Sequence, residues 1–254
     1  MNSEEYSNLA RVETNHWFYV GKRDIVRFWI NRYRPLKPDD QLADCGAGTG
    51  IFADEMRAYC QVVAVDDYPE SIELLRARLG DKNVRKGSCT SLPLDNDSVM
   101  VLTALDVVEH VEHDRSAVRE FLRVLRPGGL AVVTVPAMMC LWSDWDVSLH
   151  HYRRYHHRDL LAIIPPEFEI LRLEYINVAV FPLVYAIRKL RGILDRLGFK
   201  QGHRSEDTVP PIWLNDFLRW LYVSTACRWN FRFPAGVGLL AILRKKQPPT
   251  PPPA

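Results

Sequence analysis

Short apolar runs alternate with amphipathic segments between residues 41 and 136 of this 254-residue chain. The runs are continuously apolar, which is typical of parallel strands buried on both faces, and the segments between them have helical periodicity. We therefore expect a doubly wound α/β sheet that binds ligands at the carboxyl ends of its strands. The pattern predicts strands at 42–45, 62–65, 83–87, 99–105 and 130–136, and helices at 51–59, 69–79 and 114–125.

The segments on either side of this sheet predict additional elements. Helix-like apolar spacing predicts one helix over residues 4–33, which the prolines of the stretch 34–38 end. Beyond residue 137 the sequence predicts a loop rich in aromatic, histidine and arginine residues, a strand at 168–178, two very apolar helices, and a last strand at 237–243. The predicted organisation is a helical lid at 1–36, a main domain at 37–245 with a substrate loop at 138–160 and a helical cap insertion at 179–231, and a disordered proline-rich tail at 246–254.

Composition and charge indicate which partners and which cellular compartment to expect. A net charge of +2 gives no reason to expect nucleic acid as a partner. The five cysteines are widely spaced and form no CxxC pair, which favours a reducing compartment. The N-terminal residues lack the apolar core of a secretory signal, and no uninterrupted apolar run reaches the roughly 18 residues of a spanning helix. We expect a cytoplasmic protein.

A glycine loop follows the first predicted strand, in the stretch DCGAGTG at 44–50. Its GxGxG spacing differs from the dinucleotide fingerprint GxGxxG, because Ile51 stands where the third glycine belongs, and this disfavours an NAD-dependent dehydrogenase. The acid Asp44 suits a ligand with a cationic end, such as an amino acid. Asp66 and Asp67 end the second strand, where a carboxylate can accept both hydroxyls of a ribose. An amino acid joined to a ribose describes S-adenosylmethionine.

Five segments in order resemble the class I S-adenosylmethionine-dependent methyltransferases over about residues 41–136. They read DCGAGTG, VDD, GSCTSLPLDNDSV, ALDVVEHVEH and LRVLRPGGLAVVTVP. The resemblance implies an enzyme with a Rossmann-like sheet of seven strands, of which the last, here 237–243, is antiparallel. It also implies that Gly46 and Gly48 hold the methionine part of the cofactor, that Asp66 holds the ribose, and that Asp106 lies near the sulfonium.

Ser88 and Cys89 follow the third strand, where the family often has Asp-Ala beside the adenine. Serine replaces the acid here, which leaves the Cys89 backbone as the expected contact. The flanking segments resemble a bacterial subgroup with a Glu-x-x-His-Trp-aromatic element followed by arginine, and with a His-x-Arg-Arg-Tyr element after the fifth strand. That subgroup commonly has glycine where this chain has His150. The matching residues are Glu13, His16, Trp17, Phe18 and Arg23, then Leu141–Ser143, Asp146, His151 and Arg153–Tyr155.

Methyl transfer from a sulfonium requires a general base only when the acceptor atom carries a proton. His151 is the first candidate for this base or for orienting the substrate, followed by His110 and His16, while Arg23 is expected near the cofactor carboxylate. The alternative for the 138–160 loop is that its histidine and arginine groups only brace one another.

Asp106, Glu109 and His110 have the spacing i, i+3, i+4, which would place them on one helical face. Such a face could bind a divalent metal, or it could cap a helix and line the floor of the cofactor site. We expect the second, without a metal, because the sequence shows no further convergent ligands.

The insertion carries more large apolar side chains than a surface normally exposes. It could pack as a cap over the pocket, form half of a homodimer interface, or lie in a membrane interface with Arg188, Lys189 and Arg191 toward lipid headgroups. The cap is favoured, with a small hydrophobic or aromatic acceptor methylated on oxygen or nitrogen. The alternatives are a lipid-linked acceptor at the membrane surface and a non-catalytic S-adenosylmethionine-binding protein. The side chains concerned are Trp213, Phe217, Trp220, Leu221, Trp229, Phe231 and Phe233.

Overall fold

The computed structural model describes residues 10–196, 208–229 and 232–248. Its strands are β1 (Gln41–Cys45), β2 (Gln61–Asp66), β3 (Val84–Lys86), β4 (Val99–Leu105), β5 (Leu125–Pro136), β6 (Phe168–Ile176) and β7 (Gly238–Lys245). Its helices are α1 (Trp17–Tyr33), α2 (Ile51–Met56), α3 (Pro69–Leu79), α4 (Asp114–Val124), α5 (Asp144–Ser148), α6 (His157–Ile163), α7 (Phe181–Arg196) and α8 (Ile212–Cys227). Short 3-10 turns occupy Asp81–Asn83, Val108–His110 and Met139–Leu141.

The seven strands form one mixed sheet in the order β3-β2-β1-β4-β5-β7-β6. β1 pairs in parallel with both β2 and β4, while β3 and β5 extend the parallel part on either side. The last strand is antiparallel, so the predicted α/β fold with a seven-stranded Rossmann-like sheet is confirmed. The carboxyl ends of the parallel strands meet at one edge, where the predicted cofactor residues follow them.

The chain divides into two compact units. The first, here the sheet unit, comprises Ile30–Thr134, Leu161–Leu173 and Ala241–Ala254. Its core is made by apolar strand residues and by helix faces such as that of α4, whose residues Ala117, Phe121 and Val124 are fully buried. Their spacing of about one helical turn explains why the sequence forms a helix there.

The second unit, here the helical unit, comprises Met1–Trp29, Val135–Leu160 and Glu174–Leu240. In it α1 packs against α8: the Phe18 ring stacks on Tyr222 at 5.9 Å, and the Trp29 indole donates a hydrogen bond to the Ala226 carbonyl. A Cβ atom at Gly21 would lie 2.9 Å from the Tyr222 ring, so a glycine is required at this close approach.

The two largest departures from the predicted bounds are in α1 and β5, and α2 also ends at Met56 rather than at residue 59. The helix expected over 4–33 is interrupted after Val12 and starts again at Trp17, where the His16 ring nitrogen Nδ1 accepts a hydrogen bond from the Phe18 amide. β5 begins at Leu125, directly after α4, because Leu125 already pairs with Val99, whereas the sequence predicts a strand start at residue 130.

Several other predictions fall partly outside the described residues. These are residues 1–9 of the lid, 197–207 and 230–231 of the insertion, and 249–254 of the tail. Within the described ranges, no helix is both long and apolar enough to cross a membrane.

Candidate functional site

The glycine loop leaves β1 in a conformation that side chains disfavour. Gly46, Gly48 and Gly50 have φ values of 67°, 56° and 79°, all in the left-handed region. A Cβ atom on Gly46 would lie 2.4 Å from Cγ2 of Val107. The Gly46 and Ala47 amides both donate to the Val65 carbonyl, which fastens the loop to the end of β2. The loop thus offers bare backbone at the carboxyl ends of the central strands.

Asp66 connects this loop with the next one. One carboxylate oxygen accepts a hydrogen bond from the Gly48 amide at 2.9 Å, and the other accepts from the Tyr68 amide at 3.0 Å. Burial raises the pKa of Asp66, and these two amide hydrogen bonds offset part of that effect. The neighbouring Asp67 is exposed. Of the two predicted ribose acids, Asp66 therefore has the fixed geometry.

Asp44 is buried inside β1, and the Thr103 hydroxyl of β4 donates to its carboxylate at 2.6 Å. Asp106 follows β4 with φ 56°, and it is held twice by Thr134 of β5. Its amide donates to the Thr134 carbonyl, and its carboxylate accepts from the Thr134 hydroxyl at 2.8 Å. Two threonines that the sequence analysis did not single out therefore orient two of the predicted cofactor residues.

The expected helical face of Asp106, Glu109 and His110 does not form. Asp106 has left-handed backbone, and only Val108–His110 make a single 3-10 turn, with Glu109 fully buried and His110 half-buried. The i, i+3, i+4 argument applies to an α-helix, and α4 begins only at Asp114.

The loop after β3 is organised by its own side chains. The Ser88 hydroxyl lies 3.0 Å from the Thr90 hydroxyl and accepts from the Thr90 amide, so it is occupied within its own turn. A hydrogen bond between the thiols of Cys45 and Cys89 lowers the pKa of Cys89 and raises that of Cys45 well above its usual value. Cys89 therefore lies next to the end of β1, and its contact with the adenine through the backbone stays a prediction.

In the helical unit, His151 belongs to a buried cluster around Asp146. The His151 Nδ1 atom lies 3.0 Å from the Asp146 carboxylate, and the Arg154 Nε atom donates to the same oxygen at 2.7 Å. The Arg188 guanidinium of α7 lies 3.5 Å from the other oxygen and also donates to the Leu141 carbonyl. Asp146 has no exposed surface. Burial by itself raises its pKa, but the His151 hydrogen bond and the charges of Arg154 and Arg188 outweigh burial and lower it.

The local fold explains why these groups converge. Ser143 and Asp146 form a capping box at the start of α5, in which the Ser143 amide donates to Asp146. The chain then turns through His150 at φ 57°, a left-handed conformation that accounts for the glycine common at this position in the subgroup. The sequence predicts a loop over residues 138–160, and the Ser-x-x-Asp spacing at 143–146 is the signal that indicates α5 within it.

The other two predicted residues of this unit have structural partners. His16 is buried, contacts the rings of Trp17 and Tyr19, and caps α1 through the Phe18 amide. Arg23 is buried and donates to the Glu13 carbonyl at 2.8 Å. His16 and His151 belong to the helical unit and His110 to the sheet unit. A role in catalysis for any of the three stays a prediction.

Gly46→Ala tests the steric constraint in the loop. We expect it to lower the free energy of unfolding by about 1–3 kcal/mol, because it combines an unfavourable φ with the Val107 contact. Urea unfolding measures the change. Gly128→Ala is the control, since Gly128 also has a positive φ, 79°, and the added Cβ would meet only the Gln247 Nε2 atom at 3.7 Å. Adding Val107→Ala to Gly46→Ala should recover the part due to the clash, and a Gly46→Ala loss that Val107→Ala does not reduce would contradict the steric argument.

Asp146→Asn tests the buried cluster. We expect it to lower the free energy of unfolding by about 3 kcal/mol at neutral pH, because it leaves buried cations without their anion. The pKa of Asp146 is lower in the folded chain than the unfolded value of about 3.9. The ionised carboxylate therefore stabilises the fold fully at pH values above about 3.9, and this stabilisation is lost as the pH falls through the folded pKa. The difference from the wild type should therefore shrink in acid. Asp144→Asn, an exposed change in the same helix, should have little effect, and a pH-independent difference would contradict the assignment.

Comparison with known proteins shows which proteins this chain is similar to. Residues 43–133 match the family described as a methyltransferase domain. The chain is 32% identical over 152 residues to a probable S-adenosylmethionine-dependent methyltransferase of Mycolicibacterium smegmatis, covering 59% of this chain and 56% of the relative. A probable S-adenosylmethionine-dependent methyltransferase of Mycobacterium tuberculosis is 31% identical over 147 residues, covering 55% and 53%. The chain thus spans about half the length of these curated relatives.

The fold also resembles solved structures. A putative sarcosine dimethylglycine methyltransferase from Galdieria sulphuraria superposes with a TM-score of 0.61 at 15% identity, covering 90% of this chain and 86% of that one. The strand order, the glycine loop at the end of β1 and the acid at the end of β2 agree with the match in sequence. Residues 43–133 are therefore similar to methyltransferase domains, and the relatives that share this segment are named as probable S-adenosylmethionine-dependent methyltransferases.

Proposed function

We propose that this protein transfers a methyl group from S-adenosylmethionine to an oxygen or nitrogen atom of a small hydrophobic or aromatic acceptor. The observation that carries the proposal is the bare-backbone loop Gly46–Gly50, tied by the Gly48 amide to the Asp66 carboxylate. Both curated relatives described above are named as S-adenosylmethionine-dependent methyltransferases, which supports the same donor here.

The residues of the sheet unit fit this donor. Gly46 is exposed and has no side chain, so a ligand can approach its backbone closely. Each Asp66 oxygen accepts one amide hydrogen bond, and a carboxylate oxygen has a second lone pair that a ribose hydroxyl can use. Asp106 is oriented by Thr134 at the end of β4, where the family resemblance expects the sulfonium. Ser88 contributes least to the proposed cofactor site, because its hydroxyl is already hydrogen-bonded to Thr90.

The bound cofactor supplies a methyl group that its positively charged sulfur already activates. The chain then has to align the acceptor and keep water away from it. If the acceptor is a hydroxyl or an ammonium, a base is also needed, and His151 is the best candidate. Asp146 accepts from the Nδ1–H group of His151 and so favours the tautomer with its lone pair on Nε2. Arg154 and Arg188 keep Asp146 ionised, which holds this arrangement in place.

A second candidate function is methylation of a lipid-linked acceptor at a membrane surface. The observation that favours it is the exposure of large apolar side chains in the insertion, including Trp213, Phe217 and Trp220 of α8. A cap that buried these side chains against the protein would not leave them half or more exposed. A non-catalytic protein that binds the same cofactor is the remaining alternative, and a turnover measurement distinguishes it.

Titration calorimetry tests the proposed cofactor. We expect S-adenosylmethionine and S-adenosylhomocysteine to bind and NAD not to bind, because the loop has GxGxG spacing. Asp66→Ala should weaken S-adenosylhomocysteine binding by about 1–3 kcal/mol through loss of charge-assisted hydrogen bonds. Asp81→Ala, a change at an exposed acid after α3, is the control. Tight NAD binding without any response to S-adenosylhomocysteine would overturn the proposal, and an unchanged affinity in Asp66→Ala would remove Asp66 from the site.

A panel of phenols, catechols and aromatic amines, assayed by transfer of labelled methyl groups, tests the acceptor class. We expect turnover with at least one of them, and with a protonated acceptor His151→Ala should reduce kcat on the order of 100-fold while leaving S-adenosylhomocysteine affinity unchanged. His150→Gly is the neighbouring control, because glycine suits its left-handed backbone. Equal losses in the two variants would contradict a role for His151 as the base, and turnover only with lipid-linked acceptors would favour the second candidate.

A further inference from the structure

Helix α7 exposes an apolar surface that the described part of the chain does not cover. Leu183, Ile187, Leu190 and Ile193 are between 40% and 63% exposed, in a helix of only 16 residues. A single exposed leucine is ordinary on a protein surface, whereas four on one helix are not.

These four residues form one face. At about 100° per residue they fall within an arc of about 120°. Arg191 lies about 40° beyond one edge of this arc and Lys189 about 40° beyond the other edge. Both basic residues are exposed. An apolar face bordered on both sides by cations is typical of helices that lie in a membrane interface, where long basic side chains reach the headgroups.

The opposite edge of α7 is fixed to the protein. Arg188 projects there, toward Asp146 and the Leu141 carbonyl, and Val184 beside it is half-buried. The helix therefore cannot turn its apolar face inward without breaking the Asp146 cluster.

Helix α8 adds an aromatic stripe of the same kind. Trp213, Phe217 and Trp220 are each more than half exposed, and their spacing of four and three residues places them on one face. The opposite face carries Tyr222 and Ala226, which pack on α1. Tryptophan is the side chain most characteristic of the boundary between water and hydrocarbon.

The charge of the insertion suits an anionic surface. Residues 179–231 contain eight lysine and arginine residues against four acids, a net charge of +4, in a chain whose total is +2. The remainder of the chain is therefore net acidic, and the basic charge is concentrated in the segment with the exposed apolar faces. A second copy is a poorer occupant, because a symmetric contact would bring Lys189 and Arg191 of both copies together along one apolar seam.

We propose that the insertion docks the protein on an anionic lipid membrane through the exposed apolar faces of α7 and α8. The apolar side chains enter the headgroup boundary, and Lys189 and Arg191 contact the lipid phosphates. This docking does not depend on the proposed methyl transfer. If the protein does transfer methyl groups, docking would let an acceptor dissolved in the lipid reach it.

Flotation of the full chain with lipid vesicles tests the docking. The chain should bind vesicles that mix phosphatidylcholine with phosphatidylglycerol, bind phosphatidylcholine alone much more weakly, and detach as the salt concentration rises. Leu183→Ser with Leu190→Ser should weaken binding at least about tenfold through lost apolar burial. Lys189→Gln with Arg191→Gln should weaken it about tenfold on the anionic vesicles only.

Matched controls come from exposed positions elsewhere. Leu74→Ser with Leu161→Ser changes two leucines of similar exposure, and Arg115→Gln with Arg119→Gln neutralises two exposed cations on α4, so neither pair should alter binding. Calorimetry with S-adenosylhomocysteine on every variant shows whether the fold and cofactor site are intact, which separates a failure of docking from a failure of the proposed function.

Three outcomes would overturn the proposal. They are the absence of vesicle binding by the wild type, equal binding to neutral and anionic vesicles, and a dimer seen by light scattering that the α7 substitutions dissociate. Binding that the α7 substitutions weaken and the control substitutions leave unchanged would support it.

Discussion

The site in the sheet unit depends on the position of Gly46, where the end of β1 has no room for a side chain. Val107, which follows β4, occupies the space that a Cβ atom would need. The Val65 carbonyl at the end of β2 binds the amides of the loop, and Asp66 binds the amide of Gly48. Three parallel strands thus fix one segment of bare backbone, and Asp66, the acid proposed to bind the ribose, also holds the glycine loop in place.

A buried carboxylate has the corresponding role in the helical unit. Asp146 is fully desolvated, which is unfavourable unless cations and hydrogen bonds compensate; Arg154 and Arg188 supply the charges, and His151 supplies a hydrogen bond from its ring. The consequence is that one ion cluster joins the loop after β5, the short helix α5 and the long helix α7. His151, which is only proposed as a base, is therefore oriented by the same interaction that anchors the insertion.

The elements of the parallel sheet could be read from the sequence because burial on both faces leaves a continuous apolar signal. β4 and α3 have the predicted bounds. The signal failed where a residue's partner is distant or its backbone is unusual. The early start of β5 depends on pairing with Val99, and the assumed helical face of Asp106, Glu109 and His110 is prevented by the left-handed backbone of Asp106. The sequence predicts the glycine loop and Asp66 as candidate cofactor residues. It does not predict the hydrogen bond between the Gly48 amide and Asp66.

The orientation of α7 follows from the same balance of burial and charge. Arg188 is about 160° around the helix from the centre of the apolar arc, so pairing with Asp146 directs leucine and isoleucine side chains away from the protein. Burying those side chains instead would give up the ion cluster, which costs several kcal/mol when one partner is lost. Within the described residues this apolar face is left uncovered, and the proposed docking would supply an apolar phase for it. The cations along both of its edges suit the negative surface charge of the proposed membrane.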